Sequence, residues 1–392
     1  MKKKVIRAFS ALAVTGLALA AAGILAFFLL IVAGISPKLQ TIWICSAMRT
    51  MSHKYLATAF FSDEYIAEVM KANEVDDSGC DSEILTFPRK EGPETEPEND
   101  PNAGLDAILT PEPEAETETE PETETEPETE PETEAETQPP ETEAEPEDPV
   151  YLTEGYEMLE EGLYLKEVSG LTWRGYVMLV EDPLRVKLVD TSQQYSCGEN
   201  VMTMTTNAGA VAGVNGGGFQ DGANYDSNGG TPAGLLIEDS TLVHPFWDDG
   251  TVYNMIGINS DGALVLRHCT VTWALENNIV SAVSFSPFLV VNGEGLIKEG
   301  SGGWGIAPRT AIGQRETGEI LFLVIDGRQV DWSIGCDLDV LQQVMLEEGA
   351  YNAAMLDGGS STAMVYDGEY VNRPSLGHER WINNCFVVMP EE

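Results

Sequence analysis

Between Glu91 and Asp148 the chain carries 24 acidic residues and no basic one, with proline, glutamate and threonine alternating in repeats such as Pro121-Glu122-Thr123-Glu124. Large apolar side chains occur there only between Leu105 and Leu109, so burial cannot offset the entropy cost of folding. Like charges and prolines favour an extended linker. This tract divides the 392-residue chain, leaving residues 1–90 at net +2 and residues 149–392 at net −22 out of a total of −44. Charge of that sign repels phosphate backbones, so no nucleic-acid partner is expected. The C-terminal 244 residues are enough to bury a core of their own, and chemistry is sought there.

At the N-terminus, Lys2, Lys3, Lys4 and Arg7 precede an uncharged apolar run from Ala8 to Ile35. As a helix those 28 residues extend about 40 Å, more than the ~30 Å hydrocarbon core. A cleavable signal has an apolar region of only about 7–15 residues, so an uncleaved signal anchor is the favoured reading. Residues 1–7 form its cytoplasmic basic flank, residues 8–35 cross the cell membrane once, and the remainder lies outside. Residues 36–90 read as a juxtamembrane helical stalk. Ile44, Met48, Met51, Tyr55 and Ala59 recur at helical spacing, and Ser62 caps a second helix with Ile66, Val69 and Met70 on one side. The acidic tract at 91–148 is then a spacer holding residues 149–392 away from the membrane.

That last region alternates short strand-like runs with few helices, which predicts an α+β fold with a mixed, mostly antiparallel β-sheet system. The runs include Tyr176–Val180, Arg185–Val189, Ala210–Val214, Gly234–Ile237, Ala263–Leu266, Phe288–Val291, Ile320–Ile325 and Asn384–Met389. A helix is predicted to start at Asp337, turn Leu338, Leu341 and Met345 inward, and stop at Gly349. The six cysteines include no Cys-x-x-Cys pair, which argues against zinc knuckles and thioredoxin-like chemistry and leaves disulfides and buried thiols both open.

Three apolar runs break at a polar residue followed by glycine. Ala210–Val214 leads into Asn215-Gly216-Gly217-Gly218-Phe219, Leu321–Ile325 into Asp326-Gly327-Arg328, and Ala353–Leu356 into Asp357-Gly358-Gly359-Ser360-Ser361. Glycine lets backbone turn tightly or approach a ligand, and successive N–H groups in such a turn cradle an anionic oxygen. Arg309, Arg328 and Arg380 supply fork-shaped donors suited to phosphate. A lone Asp-Gly after a strand, such as Asp261-Gly262 or Asp367-Gly368, is an ordinary hairpin turn. Three such breaks with nearby arginines point instead to a shared pocket.

These blocks, with Thr231-Pro232-Ala233-Gly234, Pro287 to Gly293, Arg309-Thr310-Ala311-Ile312-Gly313 and Glu379-Arg380…Asn384, resemble the phosphodiester glycosidase family over roughly residues 165–390. The resemblance leaves out the anchor and the acidic tract. The Asp-Gly-Gly-Ser-Ser block has one glycine fewer than the Asp-Gly-Gly-Gly-Ser form of some members.

The resemblance implies hydrolysis of the C1–O bond of a sugar 1-phosphodiester, freeing the sugar and leaving a phosphomonoester. Joined to the anchor reading, this puts the expected reaction outside the cell, on a surface glycopolymer such as teichoic acid or exopolysaccharide. Asp357 is the first catalytic candidate, Asp326 the second, and Glu379 an acid/base partner. Asn215, Gly217, Arg309, Thr310, Arg328, Gly358, Gly359, Ser360, Ser361 and Arg380 are the candidate substrate-binding residues. No cofactor is required. A calcium loop at Asp221, Asn224, Asp226 and Asn228 is a weaker alternative, lacking the terminal glutamate of an EF-hand. Trp304 and Trp332 flank the arginine blocks as candidate sugar-stacking residues, with core packing the simpler role. Gly-x-Ser-x-Gly is absent, so a nucleophile elbow has no support. A non-catalytic protein that binds anionic polysaccharide with the same pocket is the competing reading, and no motif specifies an oligomeric state.

Overall fold

Six consecutive apolar residues, Ile320–Ile325, form a strand buried on both faces. Side chains alternate along a strand. Leu321, Leu323 and Ile325 therefore enter one core with Leu338, Leu341 and Met345, while Ile320, Phe322 and Val324 enter another. The computed structural model describes residues 2–50, 53–87, 153–222, 227–298 and 302–391. The expected extended tract at 91–148 lies outside the described residues.

Around that strand an eight-stranded sheet forms in the order Glu157–Glu160, Leu163–Ser169, Arg174–Val180, Ile320–Ile325, Arg309–Arg315, Ala350–Met355, Phe288–Val291 and Glu294–Gly295. A second sheet orders Thr241–His244, Leu236–Glu238, Ile279–Ser284, Tyr253–Asn259 and Leu264–Cys269. A third orders Glu369–Tyr370, Met364–Tyr366, Ala212–Asn215, Asn384–Val388 and Val186–Asp190. The pairings within all three are antiparallel.

One face of each sheet contributes to a common core that includes Phe288, Phe322 and Phe386. The opposite faces take a helix each: Leu338–Glu347 on the first, Val271–Glu276 on the second and Val201–Asn207 on the third. The helix expected after Asp337 is present, and the Asp337 carboxylate accepts the Val340 N–H at 3.1 Å. All six cysteines are separate thiols, and Cys45, Cys269, Cys336 and Cys385 are buried.

The apolar N-terminal run forms the helix Lys2–Phe27, continued by a wider turn over Phe28–Val32. Its Thr15–Val32 portion is long and apolar enough to cross a membrane. Gly34, at φ +69°, ends the run. Ser36 then opens the helix Pro37–Met48, and Ser62 caps Asp63–Ala72. Residues through Phe87 and those from Thr153 onward pack as one unit. Asp77 accepts the Phe288 N–H at 3.0 Å, and Ser82 exchanges hydrogen bonds with the Leu266 backbone at 2.8 and 2.9 Å. Phe87 rests against Gly318, whose added Cβ would meet its ring at 3.1 Å.

Phe322 is fully buried between the first and third sheets, against Phe386 at 6.0 Å between ring centroids. Phe322→Ala is expected to cost about 3–5 kcal/mol of stability, read from a denaturant midpoint shift at unchanged slope.

Candidate active site

The glycine-broken segments meet at one end of the first sheet, where it adjoins the third. Arg309 pairs with Ile325 and Ala311 with Met355, so the start of one strand lies beside the ends of its two neighbours. Across the gap, the Asp357 N–H donates to the Gly216 carbonyl at 3.1 Å and the Gly359 N–H to the Pro308 carbonyl at 2.9 Å. The backbone can approach this closely because of glycine. A Cβ on Gly217 would lie 2.6 Å from Val283 Cβ.

Asn215 ties the junction together. Its amide donates to the Asp357 carbonyl at 2.6 Å and accepts the Thr310 hydroxyl at 2.8 Å and the Ala363 N–H at 3.1 Å. Asn215 and Thr310 are both fully buried. They position the site and do not line its cavity.

The cavity is about 330 Å3 and is lined by Arg49, Phe219, Asp221, Trp304, Arg328 and Arg380, by the turn Asp357 to Ser361, and by part of Arg309. Its size suits a small ligand. Asp357 brings a carboxylate into the cavity wall. Burial raises its pKa to about 6, against the Ser361 hydrogen bond, the Arg380 charge and the Gly358 N–H, while Asp221 adds to the rise. Gly358 N–H donates to its Oδ1 at 2.9 Å.

Arg328 stands opposite. Its backbone is left-handed at φ +61°, a conformation unfavourable for a residue with a side chain and characteristic of functional positions. The Arg328 N–H donates to the Ile334 carbonyl at 3.1 Å, which holds that turn. Its guanidinium lies over Gly359, where an added Cβ would come within 3.2 Å, and φ +64° at Gly359 also favours glycine. No hydrogen bond or ion pair engages the Arg328 side chain among the described residues. It is exposed to solvent and available to an anion.

The other candidates divide. Ser360 and Ser361 are buried and line the cavity with Gly358 and Gly359. Arg380 also lines it, paired with Asp221 at 2.6 and 2.7 Å and stacked 4.7 Å over Phe219. Arg309 is almost wholly buried and its donors go to backbone carbonyls, at 3.0 Å to Trp304, 2.6 Å to Gly305 and 3.4 Å to Cys336. Burial lowers its pKa to about 10, so it remains a cation in the cavity wall.

Asp326 does not line the cavity. Its carboxylate accepts Trp332 Nε1 at 2.7 Å, Asn372 Nδ2 at 2.9 Å and the Arg373 N–H at 3.0 Å, organising the loops around it. That also accounts for Trp332, which is sandwiched between Arg174 and Arg373 at 4.7 and 4.5 Å. Glu379, raised by burial to about 7, accepts the Met202 N–H at 3.4 Å and likewise lies outside the lining. Of the candidate calcium loop, Asp221 is held by Arg380, and Asn224 and Asp226 lie outside the described residues. Among the described residues no group of three metal-binding side chains occurs.

Sequence reasoning missed Arg49, Phe219 and the pairing role of Asp221. Phe219 lay within a quoted block and was legible as an aromatic beside glycines. Arg49, 255 positions from Trp304 in sequence, carried no local signal.

A carboxylate, an available guanidinium and a Gly-Gly-Ser-Ser turn in one cavity are groups able to hold an anion beside an acid–base residue. Residues 208–389 match the family model described as phosphodiester glycosidase. Over those residues, just under half of the chain, the C-terminal region is similar to that family. Human N-acetylglucosamine-1-phosphodiester alpha-N-acetylglucosaminidase is 28% identical over 174 residues, covering 40% of this chain and 33% of that protein. A Bacillus subtilis (strain 168) SPbeta prophage-derived uncharacterized protein, YomE, is 26% identical over 210 residues, covering 48% and 29%. The chain spans about a third of the length of these curated relatives. The zebrafish N-acetylglucosamine-1-phosphodiester alpha-N-acetylglucosaminidase catalytic domain, auto-inhibited by its pro-peptide, aligns at TM-score 0.49 and 24% identity, covering 58% of this chain and 82% of that one.

Two substitutions separate the carboxylates. Burial raises the Asp357 pKa, so the folded state favours the protonated form and loses stability as pH rises from about 3.8 through about 6. Asp357→Asn is expected to melt higher than the parent at pH 8, with the difference closing by pH 4 in thermal scans. Asp326→Ala strands three donors, that of Asn372 fully buried and those of Trp332 and Arg373 partly so, and is expected to cost about 1–3 kcal/mol at pH 7.

Proposed function

We propose that the C-terminal domain hydrolyses a sugar 1-phosphodiester at the C1–O bond, releasing the sugar and a phosphomonoester. The observation that carries this reading is the placement of Asp357 in one cavity with Arg328 and the Gly358–Ser361 turn. The name of the human relative supports the substrate class.

Arg328, assisted by Arg380 and the fixed charge of Arg309, meets the phosphate and stabilises the charge that grows as the bond breaks. Such a leaving group needs little protonation, which makes a separate general acid less important. Asp357, ionised above pH about 6, stabilises the positive charge developing at C1 or activates the attacking water. Ser361 and Gly358 hold its orientation. Trp304 and Phe219, each with an arginine stacked on its ring, give the sugar apolar walls.

The apolar helix and its basic flank suit a single-pass anchor with the N-terminus in the cytoplasm and the domain outside. The substrate is then a cell-surface glycopolymer such as teichoic acid or exopolysaccharide.

Incubating the purified full chain with methyl esters of several sugar 1-phosphates is expected to release free sugar and methyl phosphate in equal amounts. Asp357→Asn should lower kcat by a factor of at least 10², and Arg328→Ala should raise KM. Tight binding with no release for any sugar sinks the hydrolase reading. In a pH series, kcat/KM is expected to rise with a midpoint near 6, as the Asp357 carboxyl ionises, and Glu379→Gln should leave that midpoint in place.

A further inference from the structure

A second cavity, also about 330 Å3, adjoins the anionic one. Its walls include Trp43, Ala47, Leu56, Ile306 and Leu376, and Arg328 borders both cavities. These five side chains are apolar, Ser46, Thr50 and His53 complete the wall, and Trp43 Nε1 is already satisfied by the Leu56 carbonyl at 2.8 Å. The anionic site thus has a greasy neighbour on the far side of its available guanidinium.

Most of this second lining belongs to the segment that directly follows the apolar helix. Trp43 lies in Pro37–Met48, and its ring meets the Phe27 ring at 4.9 Å between centroids. Phe27 is itself part of the Thr15–Val32 stretch that is long enough to cross a membrane. Phe60 closes the same contact at 5.4 Å from Phe27. The juxtamembrane segment is also fastened to the domain at the cavity edge. Ser46 accepts the Ile306 N–H at 2.9 Å, and Arg49 stacks on Trp304 at 4.1 Å while lining the anionic cavity.

This arrangement bears on the acidic tract. Phe87 and Thr153, which flank it, belong to the same packed unit as the helices. The tract's length therefore does not set the distance between the catalytic domain and the membrane helix. Phe27 and Trp43 set it, at side-chain contact.

We propose that the second cavity binds a long aliphatic chain, and that this chain is the alcohol esterified to the substrate phosphate. The inference rests on the hydrolase reading and makes the second alcohol on the phosphate a lipid chain carrying the glycan, in place of a polymer repeat unit. The sugar lies on the Asp357 side, the phosphate beside Arg328 and Arg49, and the chain among Trp43, Ala47, Ile306 and Leu376. Water adds its oxygen to C1 as the C1–O bond breaks. The free sugar leaves with that hydroxyl, and the chain leaves as an alkyl phosphate monoester after one proton passes to solvent. A membrane-embedded substrate reaches such a site without leaving the bilayer, because the cavity wall touches the end of the membrane helix.

The test uses the full chain in lipid nanodiscs with one sugar 1-phosphate, esterified to methanol, dodecanol or farnesol. The dodecyl and farnesyl esters distinguish a saturated from an isoprenoid chain. At least one is expected to show kcat/KM ten-fold or more above the methyl ester. Leu376→Glu, in an exposed loop, and Ala47→Phe are each expected to cut that preference at least five-fold. Met158→Glu, on a distant edge strand, should keep it. Partition of long chains into lipid would raise the apparent preference equally in every variant, so a preference that survives both cavity substitutions overturns the proposal. Equal rates for all three esters in the parent overturn it too. Dodecyl phosphate binding, measured by titration calorimetry, supplies a readout without turnover: it should exceed inorganic phosphate binding at least ten-fold and weaken in Leu376→Glu. If no ester is cleaved, the hydrolase reading fails first. If the methyl ester is cleaved as fast as the others, only the chain site fails.

Discussion

The side chain of one buried residue, Asn215, holds together the ends of three strands. It donates to the Asp357 carbonyl and accepts from Thr310 and Ala363, leaving neither its donor nor its acceptor idle. In a fully buried position, losing any of these partners would expose the amide or its neighbours to the cost of an unmet hydrogen bond. The third sheet is thereby registered against the first, and Asp357 acquires a fixed backbone position at the rim where the two sheets meet. Gly216 and Gly217 allow the approach by carrying no side chain into Asn384 or Val283.

Electrostatics at that rim work by leaving some charges engaged and others available. Arg309 is anchored by carbonyls and acts through its field alone. Arg380 is balanced by Asp221. Arg328 has no such partner among the described residues, and Asp357 is met by the Ser361 hydroxyl, the Gly358 N–H and the charge of Arg380. A buried carboxyl with few donors stays easy to protonate, and a guanidinium without a carboxylate stays ready for an anion. The same burial makes the empty site less stable than an amide at position 357 would make it, a trade common where a charged group is kept for function.

The described residues up to Phe87 belong to the same packed unit as this site. Residues 36–87 pack along the domain, lend Arg49 to the anionic cavity and bring the apolar helix to the edge of a greasy one. A stalk that only carried the domain would have no reason to pair Asp77 and Ser82 with backbone of the first and second sheets. The contact joins the apolar helix and the pocket in one packed unit.

Much of this was legible from local pattern. Apolar periodicity marked the strands at Phe288–Val291 and Ile320–Ile325, the helix after Asp337 and the long apolar N-terminal helix, because each obeys a repeat set by its own backbone. The glycine-broken ends also announced a convergent site. Strands such as Arg309–Arg315 were harder to see, since Arg309, Thr310, Gln314 and Arg315 interrupt the apolar run and are buried only through distant partners. Asp326 and Asp357 look alike in sequence, each following a buried strand and preceding glycine. They part because Asn372, Arg373 and Trp332 return to fill the hydrogen-bonding capacity of the first, while no such loop covers the second. The sequence by itself determined the acidic tract and those strands and helices that carry an unbroken apolar pattern, because such properties follow from neighbours a few residues apart. Which carboxylate faces the cavity, which arginine stays unpaired and which distant helix supplies Arg49 were decided by the tertiary structure, because each depends on side chains that only folding brings within hydrogen-bonding or stacking distance.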